Sequence, residues 1–210
     1  MASNLFQLEM AAALAGRRAL IIRFGFTLLL GLPLVLVSQP VRIQVAGLSV
    51  MVIFITFFGA AVTGVRRQTE GHMERLKMLP IPAWRIRADM ILAGAFIDCV
   101  QMCPLLVLFL ITRGSLVTHV TVLKVAGLFI ITVLLFNLLG VMLASRVKDN
   151  SEVHLFGVLG SGLLAFFTGL FPVSERLRQA VDLAGAWNPL TVMGETLIRA
   201  AEGGAHGPDE

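Results

Sequence analysis

The sequence predicts an all-α fold, a polytopic bundle of membrane-spanning helices. Hydrophobic residues make up 57% of the 210 residues and charged residues only 14%, and the mean hydropathy is +0.86. Soluble globular domains carry about 25% charged residues, so this composition excludes that class. The apolar residues form long continuous runs rather than the short alternating segments of a β-barrel, which indicates helices as the spanning elements.

Five apolar runs approach the roughly 20 residues that a helix needs to cross the hydrocarbon core. The first run is predicted to be a retained helix rather than a signal peptide, because Glu9 precedes it and no small-residue cleavage site follows it. The predicted spans cover residues 19–38, 43–65, 89–112, 122–145 and 153–172.

The distribution of basic residues predicts a cytoplasmic N-terminus and an external C-terminus. With the N-terminus inside, the cytoplasmic side collects more Lys and Arg than the outer side, as the positive-inside rule requires. The cytoplasmic set is Arg17, Arg18, Arg23, Arg66, Arg67, Arg75, Lys77, Arg85, Arg87, Arg146 and Lys148. The outer set is Arg42, Arg113, Lys124, Arg176, Arg178 and Arg199.

The segment between the second and third runs is the most highly charged part of the chain. It predicts a short amphipathic helix over residues 69–79, capped by Thr69, with Glu70 in its first turn and Pro80 directly after its end. The apolar face of this helix comprises Met73, Leu76 and Leu79. The alternative interpretation is a loop whose basic residues only set the topology.

Two short helices are predicted after the fifth run, as an outer hairpin over residues 174–201. Ser174 and Asn188 are the predicted caps, and Pro189 suits the first position of the second helix. That helix has an apolar face of Leu190, Met193 and Leu197 and a four-residue ion pair between Glu195 and Arg199. Both helices are too short to span, and residues 202–210 are predicted to be disordered.

Polar residues inside the predicted spans are costly in a membrane and often functional. Asp98 and Gln101 lie in the third span, and Asn137 lies in the fourth. Asp98 is predicted either to face a polar pathway or to pair with a residue such as Asn137, unless helix tilt places it near the outer surface. Cys99 and Cys103 are interpreted as packing residues, because the sequence offers no further ligands for a metal beside them.

Three segments resemble permeases of ABC type-2 exporters, and they occur in the same order as in that family. "EGHMERLKMLPIPAWRIRADMILAGAF" is similar to the family's link between its second and third helices, although His72 stands where the family usually has Thr. The matching residues there are Glu70, Gly71, Glu74, Arg75, Leu76, Leu79 and Pro80. "LLAFFTGLFPVS" and "WNPLTVMGETLIRA" match the later segments through Thr168, Gly169, Phe171, Pro172, Asn188, Pro189, Leu190, Thr191, Glu195 and Arg199.

The resemblance implies the membrane-spanning permease subunit of an ATP-binding cassette exporter in the cell membrane. It implies a dimer with a second copy or a related permease, a pathway between the copies, and membrane lipid around them. The resemblance also implies that the charged segment is a coupling helix that docks on a separate ATPase subunit. The expected contact residues are Glu70, Gly71, Met73, Glu74, Arg75, Leu76, Leu79 and Pro80.

ATP and Mg would be bound by that ATPase partner, because this chain lacks the G-x-x-x-x-G-K-[ST] phosphate loop. No cofactor, no metal and no nucleic-acid partner is expected in the chain itself, and it is not expected to be an enzyme. The motifs of a serine hydrolase elbow and of H-E-x-x-H are absent from the sequence.

Two alternatives remain at this point. A secondary transporter working without an ATPase would suit the hydropathy and Asp98, although no inverted repeat of broken helices is evident. The family has a sixth helix after its outer hairpin, whereas this chain ends in the polar segment "AEGGAHGPDE". It is therefore expected to be either a five-span protein with an external C-terminus or a truncated relative.

Overall fold

The computed structural model describes residues 6–7, 10–11, 16–78, 80–113, 118–147, 149–171 and 173–202. These residues form helices and turns, without a strand, so the all-α prediction is confirmed for them. The helices are α1 (Arg17–Leu36), α2 (Val41–Thr69), α3 (His72–Lys77), α4 (Ala83–Arg113), α5 (His119–Ala144), α6 (Asn150–Phe166), α7 (Glu175–Ala186) and α8 (Pro189–Glu202).

Among the described residues, α2, α4 and α5 are long and apolar enough to cross a membrane, at 29, 31 and 26 residues. The apolar part of α1, Leu20–Leu36, is shorter, and α6 has 17 residues, about 25 Å as a helix. The five predicted spans overlap five helices, although α6 ends at Phe166, before the predicted end of the fifth span. The number of crossings stays a prediction.

The corner between α1 and α2 is closed by a buried amide. The side chain of Gln44 donates hydrogen bonds to the carbonyl oxygens of Val35 and Val37, at 3.2 and 2.9 Å. Arg113, at the end of α4, donates to the same Val37 carbonyl at 3.2 Å. The last carbonyls of a helix have no partner within the helix, so these side chains satisfy the end of α1 and tie it to α2 and α4.

A π-helical turn, Phe54–Phe58, interrupts the regular hydrogen bonding of α2 near its middle. The phenyl rings from this turn face glycines of α6. A Cβ on Gly157 would lie 2.5 Å from the ring of Phe58, and one on Gly160 would lie 2.8 Å from the ring of Phe57. Glycine at these positions therefore leaves room for the rings, and α2 and α6 pack closely as a result.

Small residues also bring α2 and α5 together. A Cβ on Gly140 would lie 2.3 Å from the carbonyl oxygen of Phe57 and 2.8 Å from the Cβ of Ala60. A Cβ on Gly64 would lie 2.6 Å from the Cβ of Ala144. The small residues in these two helices therefore allow close packing inside the subunit.

The antiparallel course of the long helices gives the bundle two distinct ends. The end of α2, the start of α4 and the end of α5 meet at one end, which we call the basic end. Its basic residues include Arg66, Arg67, Arg85, Arg87 and Arg146. The other end holds the start of α2 and of α5 together with α7 and α8, and we call it the hairpin end.

The hairpin of α7 and α8 coincides with the range predicted from the sequence. Pro189 is the first residue of α8, and the side chain of Asn188 accepts a hydrogen bond from the backbone N–H of Leu190 at 3.0 Å. Ser174 occupies the cap position of α7 without a capping hydrogen bond from its side chain. The predicted apolar face of α8 lies in the main hydrophobic core, and its buried members are Leu190, Met193 and Leu197.

The predicted helix over residues 69–79 is wrong in its boundaries. Thr69 is the last residue of α2, and its hydroxyl donates back to the carbonyl of Arg66 at 2.9 Å instead of capping a new helix. Glu70 also belongs to the end of α2, where it pairs with Arg66 at 2.7 Å. Gly71 then turns the chain in the left-handed region, with φ 69°, which is favourable only for glycine. The new helix, α3, begins after it.

Gly140→Ala should destabilise the bundle, because the added methyl group would meet the backbone of α2 rather than a movable side chain. We expect a loss of about 1–3 kcal/mol in the free energy of unfolding. Gly127→Ala is the matched control in the same helix, since a Cβ at Gly127 would meet no atom within 4 Å. Thermal unfolding in detergent measures both, and equal stability of the two variants would contradict the close contact of α2 with α5.

Candidate functional site

A polar cluster lies in the interior of the bundle, where α1, α4 and α5 meet. It consists of Arg23, Thr27, Asp98, Gln101 and Asn137. Asp98 is 3% exposed, and Thr27, Gln101 and Asn137 are buried as well. Burying a carboxylate and two amides is costly unless their hydrogen bonds are made, so their partners decide what this cluster can do.

Asn137 holds the carboxylate of Asp98 from the side of α5. Its Nδ2 donates to the Oδ2 of Asp98 at 2.9 Å and to the carbonyl of Val133 at 3.0 Å. A Cβ on Gly94, one turn before Asp98, would lie 2.9 Å from the side-chain oxygen of Asn137. Glycine at this position thus allows the amide to reach the carboxylate. The structure thus contains the pair of Asp98 with Asn137, one of the alternatives that the sequence left open.

Arg23 approaches Asp98 from the side of α1. Its guanidinium nitrogen lies 3.9 Å from the Oδ1 of Asp98, which is an ion pair but too long for a hydrogen bond. Within the part of the chain that the structure describes, this guanidinium donates no hydrogen bond, and the side chain is 40% exposed. The sequence did not place Arg23 in the site; its position at the start of the first apolar run was the available signal.

Gln101 connects α4 to the backbone of α1. Its Nε2 donates to the carbonyl of Arg23 at 3.2 Å and to the hydroxyl of Thr27. The Thr27 hydroxyl donates in turn to the same carbonyl at 2.9 Å. The three residues that the sequence singled out, Asp98, Gln101 and Asn137, therefore form contacts that tie three helices together.

Two adjoining cavities lead from the basic end to the polar cluster. One, of about 90 Å³, is lined by Arg23, Asp98 and Asn137 together with Thr63 and Arg67. The other, of about 320 Å³, is lined by Gln68, Glu74 and Arg87 nearer the basic end. Both cavities are also lined by Gly64, Met90 and Val141. We call the two together the vestibule.

Among the described side chains of α3, two charged ones face the surface and one apolar one, Leu76, packs against its own chain. Leu76 is buried and packs in one cluster with Ile86 and Met90 of α4. Leu76 was predicted to lie on the face that docks to a partner, but its burial against α4 does not favour that role. Glu74 and Arg75 of the same helix are exposed.

The remaining residues of the predicted coupling segment are only partly described. The backbone of Met73 lies in α3, Pro80 is exposed in the turn before α4, and Leu79 lies outside the described residues. Next to these positions, Met78 is 83% and Trp84 is 71% exposed. These two apolar side chains, which the sequence analysis did not single out, extend the surface at the basic end.

The residues predicted for the outer hairpin lie at the opposite end of the bundle and do not join the polar cluster. Glu195 and Arg199 form an exposed ion pair at 3.4 Å, while Asn188 and Pro189 shape the start of α8. Pro172 lies outside the described residues. Within those that are described, no group of His, Cys, Asp and Glu could hold a metal ion.

A family model for ABC-2 family transporter proteins matches residues 33–207 of this chain. The chain belongs to this family. Among curated proteins and among solved structures nothing matches it. As an ABC-2 family transporter protein it is a membrane transport component, the permease of an ABC-type transporter, and its long apolar helices agree with that assignment.

Asn137→Leu should destabilise this ABC-2 family protein, because it removes the only side-chain hydrogen bond that Asp98 makes among the described residues. The expected loss is about 1–3 kcal/mol in the free energy of unfolding, the cost of an unsatisfied buried group. The double variant Asp98→Leu with Asn137→Leu should recover much of this loss, since no carboxylate then remains buried. Unfolding in detergent measures both variants; a double variant less stable than Asn137→Leu would contradict the pairing.

Proposed function

We propose that this chain is the permease subunit of an ATP-binding cassette exporter in the cell membrane, and that it couples to a separate ATPase subunit. Two permease copies, or this chain and a related permease, would enclose the translocation route. The basic end would face the cytoplasm and the hairpin end the outside, in line with the bias of Lys and Arg toward the basic end. The helices would be surrounded by lipid.

The exposed surface around α3 is the single observation that carries the coupling proposal. Glu74 and Arg75 offer charges of both signs, and Met78 and Trp84 offer exposed apolar area beside them. Charged residues steer association, while large apolar and aromatic residues supply most of the binding energy at an interface. The packing of Leu76 onto α4 fixes this surface to a long helix.

Helix α4 offers a mechanical route from that surface to the polar cluster. It runs without interruption over Ala83–Arg113, so Ile86 under α3 and Asp98 in the cluster belong to one rigid element. Twelve residues of helix separate the two, about 18 Å. A partner that moves α3 would therefore shift Asp98 against Arg23, and Asp98, Gln101 and Asn137 would be the polar residues that respond during transport.

Charge reversal at α3 should weaken the ATPase partner without unfolding the permease. Glu74→Lys combined with Arg75→Glu changes exposed side chains only, so we expect about tenfold weaker association and a matching loss of transport. Lys124→Glu, an exposed charge at the hairpin end, is the matched control. Co-purification of the ATPase with each variant measures association.

Unchanged co-purification and transport in the double variant would contradict docking at α3. Transport that continues when no ATPase is present in the membrane would instead favour the secondary transporter. That second function has one supporting observation, a buried carboxylate reached by a cavity from one end of the bundle.

A further inference from the structure

We propose that a groove at the basic end, between the start of α4 and the end of α5, binds an anionic phospholipid. The phosphate of the lipid lies between the guanidinium groups of Arg87 and Arg146, and the acyl chains follow the outer face of α5. The groove has a volume of about 540 Å³, and its lining residues are Arg87, Met142, Leu143, Ser145 and Arg146. The site requires only the membrane bundle, so it does not rest on coupling to an ATPase.

The two arginines of the groove supply hydrogen-bond donors that no described residue uses. Both side chains are exposed, and neither guanidinium makes a hydrogen bond or an ion pair with a residue that the structure describes. Arg87 also borders the vestibule, where Glu74 lines the same cavity without forming an ion pair with it. The described wall of the groove therefore carries two positive charges and no carboxylate.

The carbonyl oxygens at the end of α5, which basic side chains often bind at a helix end, already have other partners. Their donors are the backbone N–H groups of Ser145 and Arg146, the hydroxyl of Ser145 and the side-chain amide of Gln68. The four carbonyls that these donors satisfy, the last four of α5, are those of Val141, Met142, Leu143 and Ala144. The guanidinium groups are therefore not needed to cap the helix. Their planar forks match the geometry of a phosphate, which supplies the oxygens that the groove lacks.

An apolar stripe on the outer face of α5 continues the groove toward the middle of the helix. Met142 lines the groove and is exposed, and Leu138, Leu135 and Ile131 are exposed on the same face at three- and four-residue spacing. α5 has 26 residues, about 39 Å, so its ends extend past a hydrocarbon core of about 30 Å. The arginines thus lie at the level of the headgroups and the stripe at the level of the acyl chains. Basic pockets between membrane helices bind anionic headgroups in this way, whereas a free phosphate would leave the stripe unused.

The test compares two lipids by their contact with a tryptophan placed in the groove. The full-length protein carries Met142→Trp in a background of Trp84→Phe and Trp187→Phe, which removes its two native tryptophans. It is reconstituted without an ATPase subunit in phosphatidylcholine vesicles that contain increasing fractions of brominated phosphatidylglycerol or of brominated phosphatidylcholine. Bromine atoms quench tryptophan fluorescence on contact, so quenching reports which lipid occupies the site. Ile130→Trp, an exposed position in the middle of α5, is the matched control.

At Met142→Trp, the binding constant for phosphatidylglycerol should exceed that for phosphatidylcholine about tenfold, as expected for charge-assisted hydrogen bonds to the phosphate. At Ile130→Trp the two lipids should quench alike. Arg87→Gln combined with Arg146→Gln should abolish the preference at Met142→Trp. Arg85→Gln, an exposed arginine at the same end that does not line the groove, should leave the preference unchanged.

Equal quenching by the two lipids at Met142→Trp would overturn the proposal. A preference that persists when both arginines are replaced would also overturn it, and loss of ATPase co-purification in that same variant would assign the arginines to a protein contact instead. A further arm adds inorganic phosphate. If phosphate removes the preference more than sodium chloride of equal ionic strength does, the groove binds a free oxyanion and the lipid assignment is wrong.

Discussion

The carboxylate of Asp98 must be compensated inside an apolar bundle, and this requirement explains how three helices meet. The Nδ2 of Asn137, on α5, donates a hydrogen bond to this carboxylate at 2.9 Å. The guanidinium of Arg23, on α1, lies 3.9 Å from it and balances its charge. Gly94 leaves the space that the Asn137 amide needs. In a medium without water such contacts cannot be exchanged for solvent, so the relative positions of α1, α4 and α5 depend on them.

The same cluster links the two ends of the molecule. α4 carries Asp98 at mid-length and begins beside α3, where Leu76 packs onto Ile86 and Met90. Gln101 of α4 holds α1 at the carbonyl of Arg23. Gln44 of α2 holds the other end of α1 at the carbonyl of Val35. Under the proposed function, a displacement of α3 by a partner would be transmitted along α4 to the polar contact that holds α1.

Helix positions and the hairpin were predictable because they depend on hydrophobic runs and on local caps. Asn188 and Pro189 start α8 as their chemistry requires, and no distant contact was needed to see it. The start of α3 was not predictable in this way, since α2 continues to Thr69 and Glu70, directly after it, pairs with the exposed Arg66. Periodicity places Leu76 on an apolar face but cannot tell whether that face meets its own chain or a partner.

The polar cluster was predictable only in part, for a similar reason. Asp98, Gln101 and Asn137 are conspicuous because they lie inside apolar runs, whereas Arg23 stands at the edge of one and could equally extend to the interface. Its contact with Asp98 depends on how α1 packs against α4. The vestibule is likewise a consequence of packing, because small residues from several helices create it.

The most direct measurement of the central claim is site-specific photo-crosslinking in intact cells. A photoreactive amino acid at Met78, which is 83% exposed at the basic end, should crosslink to a nucleotide-binding ATPase. The same group at Val120, which is 75% exposed at the hairpin end, should not. A crosslink to the ATPase from Val120, or none from Met78 when the complex is intact, would contradict a permease that is driven through α3.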